Sequence, residues 1–199
     1  MKEEKRYAGT YEIIESIHFG LNEFVVGEDQ SKPDLPYMTA RYECNEIIGR
    51  YFDMVGSSSY AEIMGIFAQR IADEADRLQK EVAELEAKGI EMKAITKDDC
   101  TLISYEDDIN GKVIVIKPSA LKREFRSPTY QLRYCTGGFG ASPNSRGSAV
   151  FCTNLYTGKE TRYERRDVLG VMDVDTLPKW AKDGYDKIMK KERERRDAR

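Results

Sequence analysis

The chain of 199 residues holds one histidine, one tryptophan and four cysteines. No apolar run approaches the ~18–20 residues that cross a bilayer, which argues against a membrane partner. The opening MKEEKRYAGTYE lacks the apolar core of a secretory signal, so a cytoplasmic protein is expected. A single histidine, His18, leaves little for imidazole chemistry. A zinc site wants paired ligands at short spacing, and a cysteine nucleophile wants a base close by. Cys44, Cys100, Cys135 and Cys152 are scattered, which in a reducing compartment reads as small buried hydrophobes rather than a disulfide framework. No internal repeat is visible.

Residues 135–152, CTGGFGASPNSRGSAVFC, lack acidic side chains altogether. A phosphate loop would end in Gly-Lys-Ser or Gly-Lys-Thr and open a helix; this stretch has no such lysine and a strand-like segment follows it. Gly137, Gly138, Gly140 and Gly147 suit a bulged corner between strands, with Phe139 plugging the core and Arg146 at the tip. With neither a metal constellation nor a nucleophile–base pair in view, a non-enzymatic protein without cofactor or metal is expected. An enzyme using Cys135 or Cys152 as nucleophile is the distant alternative.

What is present suffices for a core: 40% of residues are apolar and 10% aromatic, including 12 tyrosines. The length suits two modules. Charge is uneven along the chain. Residues 1–100 hold 12 lysines and arginines against 21 carboxylates, residues 101–172 hold 11 against 7, and residues 173–199 hold 9 against 7. An acidic front and a basic back suggest surfaces for different partners.

The pattern predicts an α+β protein. YEIIESIHFGLNEFVVGEDQ reads as a hairpin turning at Gly20-Leu21-Asn22, and YMTARYECN as a third strand after Pro33 and Pro36. A helical stretch is expected from about Asn45 through Phe52 to Val55, then a longer helix from Tyr60 to Lys88 capped by Ser58 or Ser59 and stopped at Gly89. Asn110-Gly111 and Thr157-Gly158 mark two further hairpins, the first by the strongest short hairpin signal. Four or five short strands with glycine and proline at the corners predict a small bent β-sheet or SH3-like barrel. Pro178 opens a C-terminal helix docked by Trp180 and Ile188 and frayed after Met189. The expected modules are an acidic sheet-plus-helix over 1–97 and a basic β module with its C-terminal helix over 98–199.

Two groups of residues are candidate contact sites. Along the long helix Ile71, Leu78, Val82 and Leu85 continue a seam of apolar residues spaced by threes and fours, the pattern of a coiled coil, so a homodimer through this seam is one expectation. In the second module Arg123, Arg126, Arg133, Arg146, Arg162, Arg165 and Arg166 share the chain with Tyr130, Tyr134, Tyr156 and Tyr163. Guanidinium groups meet phosphates and aromatic rings stack on bases, so these arginines are the candidate nucleic-acid or partner contacts. The competing reading makes them the solvated face of a twisted sheet, with Glu160, Glu164 and Asp167 as cross-strand partners.

The stretches YEIIESIHFGLNEFVVGEDQ through YAEIMGIFAQRIADEADR, and LISYEDDINGKVIVIKPSALKREF through TGGFGASPNSRGSAVFCTNLYTGKETRYERRDVLG, resemble proteins encoded on conjugative elements and phages of gut Firmicutes. The resemblance implies a setting rather than a reaction. In size and in its lack of catalytic equipment the chain is also similar to the anti-CRISPR proteins of such elements, which inhibit a type II RNA-guided nuclease. It therefore implies a phage or mobile-element protein of host-defence evasion, an inhibitor engaging such a nuclease or another host defence protein, with DNA as a further partner. The alternative is a DNA-associated accessory or regulatory protein of conjugative transfer.

Overall fold

The computed structural model describes residues 5–44 and 49–197, and the chain divides into two compact units, Met1–Ala83 and Glu84–Arg199. The division falls inside the long helix, earlier than the expected 97/98 boundary. The first unit holds 9 lysines and arginines against 16 carboxylates, the second 23 against 19.

The first unit is an antiparallel sheet of five strands in sequential order, curled towards a barrel: β1 (Tyr7–Ala8), β2 (Tyr11–Phe19), β3 (Asn22–Glu28), β4 (Tyr37–Cys44) and β5 (Gly49–Ser57). Gly20 and Leu21 turn β2 into β3, pairing Phe19 with Asn22. Gly20 has φ +61°, a left-handed conformation that favours glycine, and a Cβ there would lie 1.9 Å from Glu74 Oε1. The central strand β3 is buried on both sides. Phe24 and Val26 pack against Ile63 and Phe67 of helix α1 (Tyr60–Ala87), while Val25 joins Tyr11, Met38 and Ala40 on the opposite side.

Ser59 caps α1 by accepting the Glu62 N–H at 3.3 Å. The helix stops at Gly89, φ +74°, where the Ile90 N–H returns to the Leu85 carbonyl at 3.0 Å. Of the proposed seam, Ile71 packs on the sheet, Leu85 is buried, and Leu78 and Val82 are half-buried. The expected helix over 45–55 is corrected: residues 49–57 form β5, paired antiparallel with β4. Apolar Phe52, Met54 and Val55 look helical in spacing because a bulge opposite Ala40, with Asp53 at φ +51°, breaks the strand's alternation. Asn45–Ile48 lie outside the described residues.

The second unit is an antiparallel sheet in the order β10-β9-β8-β7-β11-β6. Its strands are β6 (Thr101–Leu102), β7 (Val113–Ile116), β8 (Leu132–Gly137), β9 (Ala149–Asn154), β10 (Glu160–Glu164) and β11 (Val168–Met172). A one-turn helix α2 (Pro128–Gln131) precedes β8, and α3 (Lys179–Asp197) closes the chain. Val113, Val115, Leu132, Tyr134 and Leu155 form one face of the core and receive Ala181, Trp180 and Ile188 of α3. Trp180 and Ile188 thus dock the helix, which continues past Met189 to Asp197. A Cβ at Gly184 would sit 1.9 Å from the Leu155 carbonyl oxygen, so α3 lies directly on the end of β9. On the other face Ile114, Ile116, Cys135, Val150, Cys152 and Val168 are covered by Ile109, Leu121 and Ala141.

The Asn110-Gly111 hairpin is corrected. β6 pairs with β11 rather than β7, so Gly111, at φ +72°, turns the chain into β7 while its N–H reaches the Cys135 carbonyl at 3.0 Å. The local signal for positive φ is real, but strand pairing is decided by the whole sheet. The second hairpin forms: β9 and β10 pair across a turn holding Gly158 at φ +72°, and Asn154 Oδ1 accepts the Tyr156 and Thr157 N–H groups at 2.8 and 2.7 Å. The buried Gln131 amide accepts the Ile95 N–H at 2.8 Å and donates to the Ile95 and Ile116 carbonyls at 3.0 and 2.9 Å. It thereby ties the segment after α1 to β7.

Candidate nucleic-acid interface

Register sorts the residues of the β8–β9–β10 surface. Phe151 stands opposite Arg162, and Thr153 opposite both Tyr134 and Glu160. Residues two apart share a face, so Phe151, Arg162, Thr153 and Glu160 lie on the side that carries α3. Phe151 is 50% exposed and Phe139 78% exposed. Phe139 therefore does not plug the core as expected: the turn over 139–141 buries Gly140 and Ala141 instead and turns the ring outward.

Close backbone approach holds this arrangement. A Cβ at Gly138 would lie 2.3 Å from the Ala149 carbonyl oxygen and 3.1 Å from Phe151 Cδ2, and one at Gly147 would lie 2.5 Å from Phe139 Cβ. Tyr105, 55% exposed, donates its hydroxyl to the Ser145 carbonyl beside Arg146. Phe151 thus stands beside Arg162 on the sheet, while Phe139, Tyr105 and Arg146 belong to the loop between β8 and β9 and the segment packed on it.

The seven arginines named from sequence have different fates. Arg146 and Arg162 are exposed, the latter paired with Glu164 at 2.7 Å along its own strand rather than across strands. Arg123 and Arg126 are exposed on the segment that Leu121 seats against the opposite face. Arg166 is exposed, and its carbonyl accepts Lys117 Nζ at 2.6 Å. Arg165 is a clamp: its guanidinium donates to the carbonyls of Gly140 at 2.8 Å, and of Ser104 and Asp107 at 2.7 Å each. Arg133 is buried and is corrected as a contact residue. Its guanidinium donates to Thr161 Oγ1 at 2.9 Å and lies 5.0 Å from the Tyr163 ring centre.

Cys135 and Cys152, far apart in sequence, stand directly opposite each other on β8 and β9 as free buried thiols. Burial pushes Cys135 up to about 11 and raises Cys152 as well. Cys44 is exposed and Cys100 half-buried, so burial applies to two of the four cysteines.

A cluster in the first unit was not foreseen. His18, Glu23, Tyr42 and Tyr51 oppose one another across β2, β3, β4 and β5. Glu23 is 3% exposed and takes Arg6 at 2.5 Å; the Arg6 guanidinium sits 5.0 Å from the Tyr42 ring centre, and His18 Nε2 lies 3.4 Å from Glu23 Oε2. Burial raises the Tyr51 phenol. This group holds Arg6, just before β1, against the sheet centre. The two-residue turn at Gly20-Leu21 carries the signal: counting outward from it sets His18 against Glu23.

Among the described residues no group of histidine, cysteine, aspartate and glutamate is placed to hold a metal ion, and no helix is long and apolar enough to cross a membrane. No protein-family model, curated protein or solved structure matches the chain.

Proposed function

We propose that the chain is a non-enzymatic binding protein whose second unit holds nucleic acid. The observation that carries the reading is the exposed Phe151 ring set opposite Arg162 on the sheet, with a second exposed ring, Phe139, and the exposed Arg146 on the loop before β9, in the unit with the cationic surplus. Exposed phenylalanines add nothing to a core, but rings that stack on bases and guanidinium groups that meet phosphates serve a polyanion of aromatic units. Burial of Cys135 and Cys152, with raised thiol pKa values, favours binding over cysteine catalysis.

The acidic first unit complements a basic protein surface, such as the channel of an RNA-guided nuclease. In the mobile-element setting implied by the resemblance, the chain acts as an anti-defence inhibitor engaging such a nuclease, its DNA, or both. The test is affinity capture from a lysate that contains a type II RNA-guided nuclease, with and without nucleic-acid digestion. Recovery of the effector after digestion supports the inhibitor. Recovery of DNA alone moves the assignment to an accessory protein of conjugative transfer, and recovery of neither by the parent chain rejects both.

A further inference from the structure

A groove of about 460 Å³ lies between α3 and the β8–β9–β10 surface, wholly within the second unit. Thr136, Thr153 and Glu160 contribute to its floor, and Lys187, Lys191 and Arg195 line its helical wall. At one end Tyr156 and Trp180 meet edge to face, with ring centres 5.8 Å apart.

The three cations recur every four residues, so they stand in a row on one side of the helix at roughly 6 Å steps. That step is comparable to the separation of successive phosphates in an extended single strand. None of the three has a carboxylate within ion-pair distance among the described residues. The groove also has a direction. Trp180 and Gly184 lie at Leu155, Glu192 accepts from the Tyr134 hydroxyl at 3.4 Å, and Arg195 follows, so α3 runs from the Leu155 end of β9 towards Phe151. Phe151 and Arg162 therefore continue the groove floor past Thr153 and Glu160 on the same face.

We infer that this groove is the track of a single-stranded nucleic acid. One end of the strand lies by Tyr156 and Trp180, its phosphates follow Lys187, Lys191 and Arg195, and its emerging bases meet Phe151. A single strand offers the flexible backbone and free ring faces that the lining matches. Three carboxylates share the lining: Glu192 is engaged by Tyr134, while Glu160 and Asp183 have no ion-pair partner among the described residues and oppose phosphate. Their presence gives the assignment a second sign to test.

The inference rests on the nucleic-acid reading of the second unit and is tested on the full chain. Fluorescence anisotropy follows a labelled oligo(dT) of about a dozen nucleotides, within the range of single-strand sites, against a hairpin duplex of matched charge. The parent is expected to prefer the single strand. Changing Lys187, Lys191 and Arg195 together to Gln should weaken it by about tenfold or more at low salt and make the log–log salt slope shallower by about two, at ~0.7 per phosphate. Glu160→Gln should tighten binding by a few-fold. These side chains are solvent-facing, and an unchanged circular dichroism melt will show that the variants fold. No binding of either probe by the parent rejects the nucleic-acid reading and the groove with it. Binding that is indifferent to the triple change, weakened by Glu160→Gln, stronger for the duplex, or displaced more readily by poly-glutamate than by oligo(dT) overturns the groove assignment alone.

Discussion

In the first unit Arg6, Arg41 and Arg77 face Glu23, Asp53 and Glu74 at 2.5, 2.5 and 2.8 Å. In the second, Arg146, Lys187, Lys191 and Arg195 have no such partner among the described residues, and the ion pairs there include Arg162 with Glu164 and Lys182 with Asp175. Arg6 and Arg41 of the acidic unit fasten strand to strand and Arg77 braces α1 from within, while the basic unit leaves several cations facing solvent. Net charge describes both units, but only the partner of each cation separates a fastening from a contact surface.

The hardest way to break this comparison is to remove a fastening. Glu23→Ala leaves Arg6 without its partner and a hole at the sheet centre, and should lower stability by about 2–3 kcal/mol, read as a lower urea midpoint. An unchanged midpoint would make the cluster ornamental. Arg165→Gln probes the exception, a second-unit arginine used for fastening. Loss of its bonds to the Gly140, Ser104 and Asp107 carbonyls should cost about 2 kcal/mol in thermal or urea unfolding. By contrast Arg162→Gln, at an exposed pair, should stay within about 0.5 kcal/mol while weakening nucleic-acid binding.

Smaller effects sharpen the contrast further. Phe139→Ala should leave the melting curve almost unmoved, since the ring is mostly in solvent, yet cost about 1–3 kcal/mol in single-strand binding if it stacks on a base. A thiol reagent at neutral pH should label exposed Cys44 in the native protein, and Cys135 and Cys152 only on unfolding. The least effect belongs to Asp29, whose carboxyl is lowered from 3.8 to about 2 chiefly by the Ser31 hydroxyl and then by Thr10. A lowered folded-state pKa stabilises above the ordinary value and is lost as pH falls through the lowered one. Asp29→Asn should therefore flatten the acid limb of the stability profile between 3.8 and about 2.

Much of the architecture was legible because it is local. The Gly20-Leu21 and Thr157-Gly158 turns, the Ser59 cap, the Gly89 stop and the Trp180 anchor each depend on a few neighbouring residues. What failed was non-local. Asn110-Gly111 signalled a turn correctly, but β6 found its partner in β11, a choice made some seventy residues along the chain. Hydrophobicity alone points Phe139 inward, but the turn over 139–141 buries Gly140 and Ala141 and leaves the ring outside. Exposed and buried arginines look identical in sequence. Arg133 and Arg165 were separated from Arg146 and Arg162 only by strand register and by the carbonyls they meet.

Gln131 carries one more consequence. Its side-chain amide pairs with Ile95 as a neighbouring peptide unit would, although the segment between Gly89 and Thr101 belongs to no strand. In hydrogen exchange the Ile95 amide should accordingly be a protected island within a quickly exchanging stretch. Its exchange should quicken in Gln131→Glu, where the replacement keeps an acceptor for the Ile95 N–H but deprives the Ile95 and Ile116 carbonyls of their donor. A single side chain thus makes the opening of a whole crossover visible at one amide.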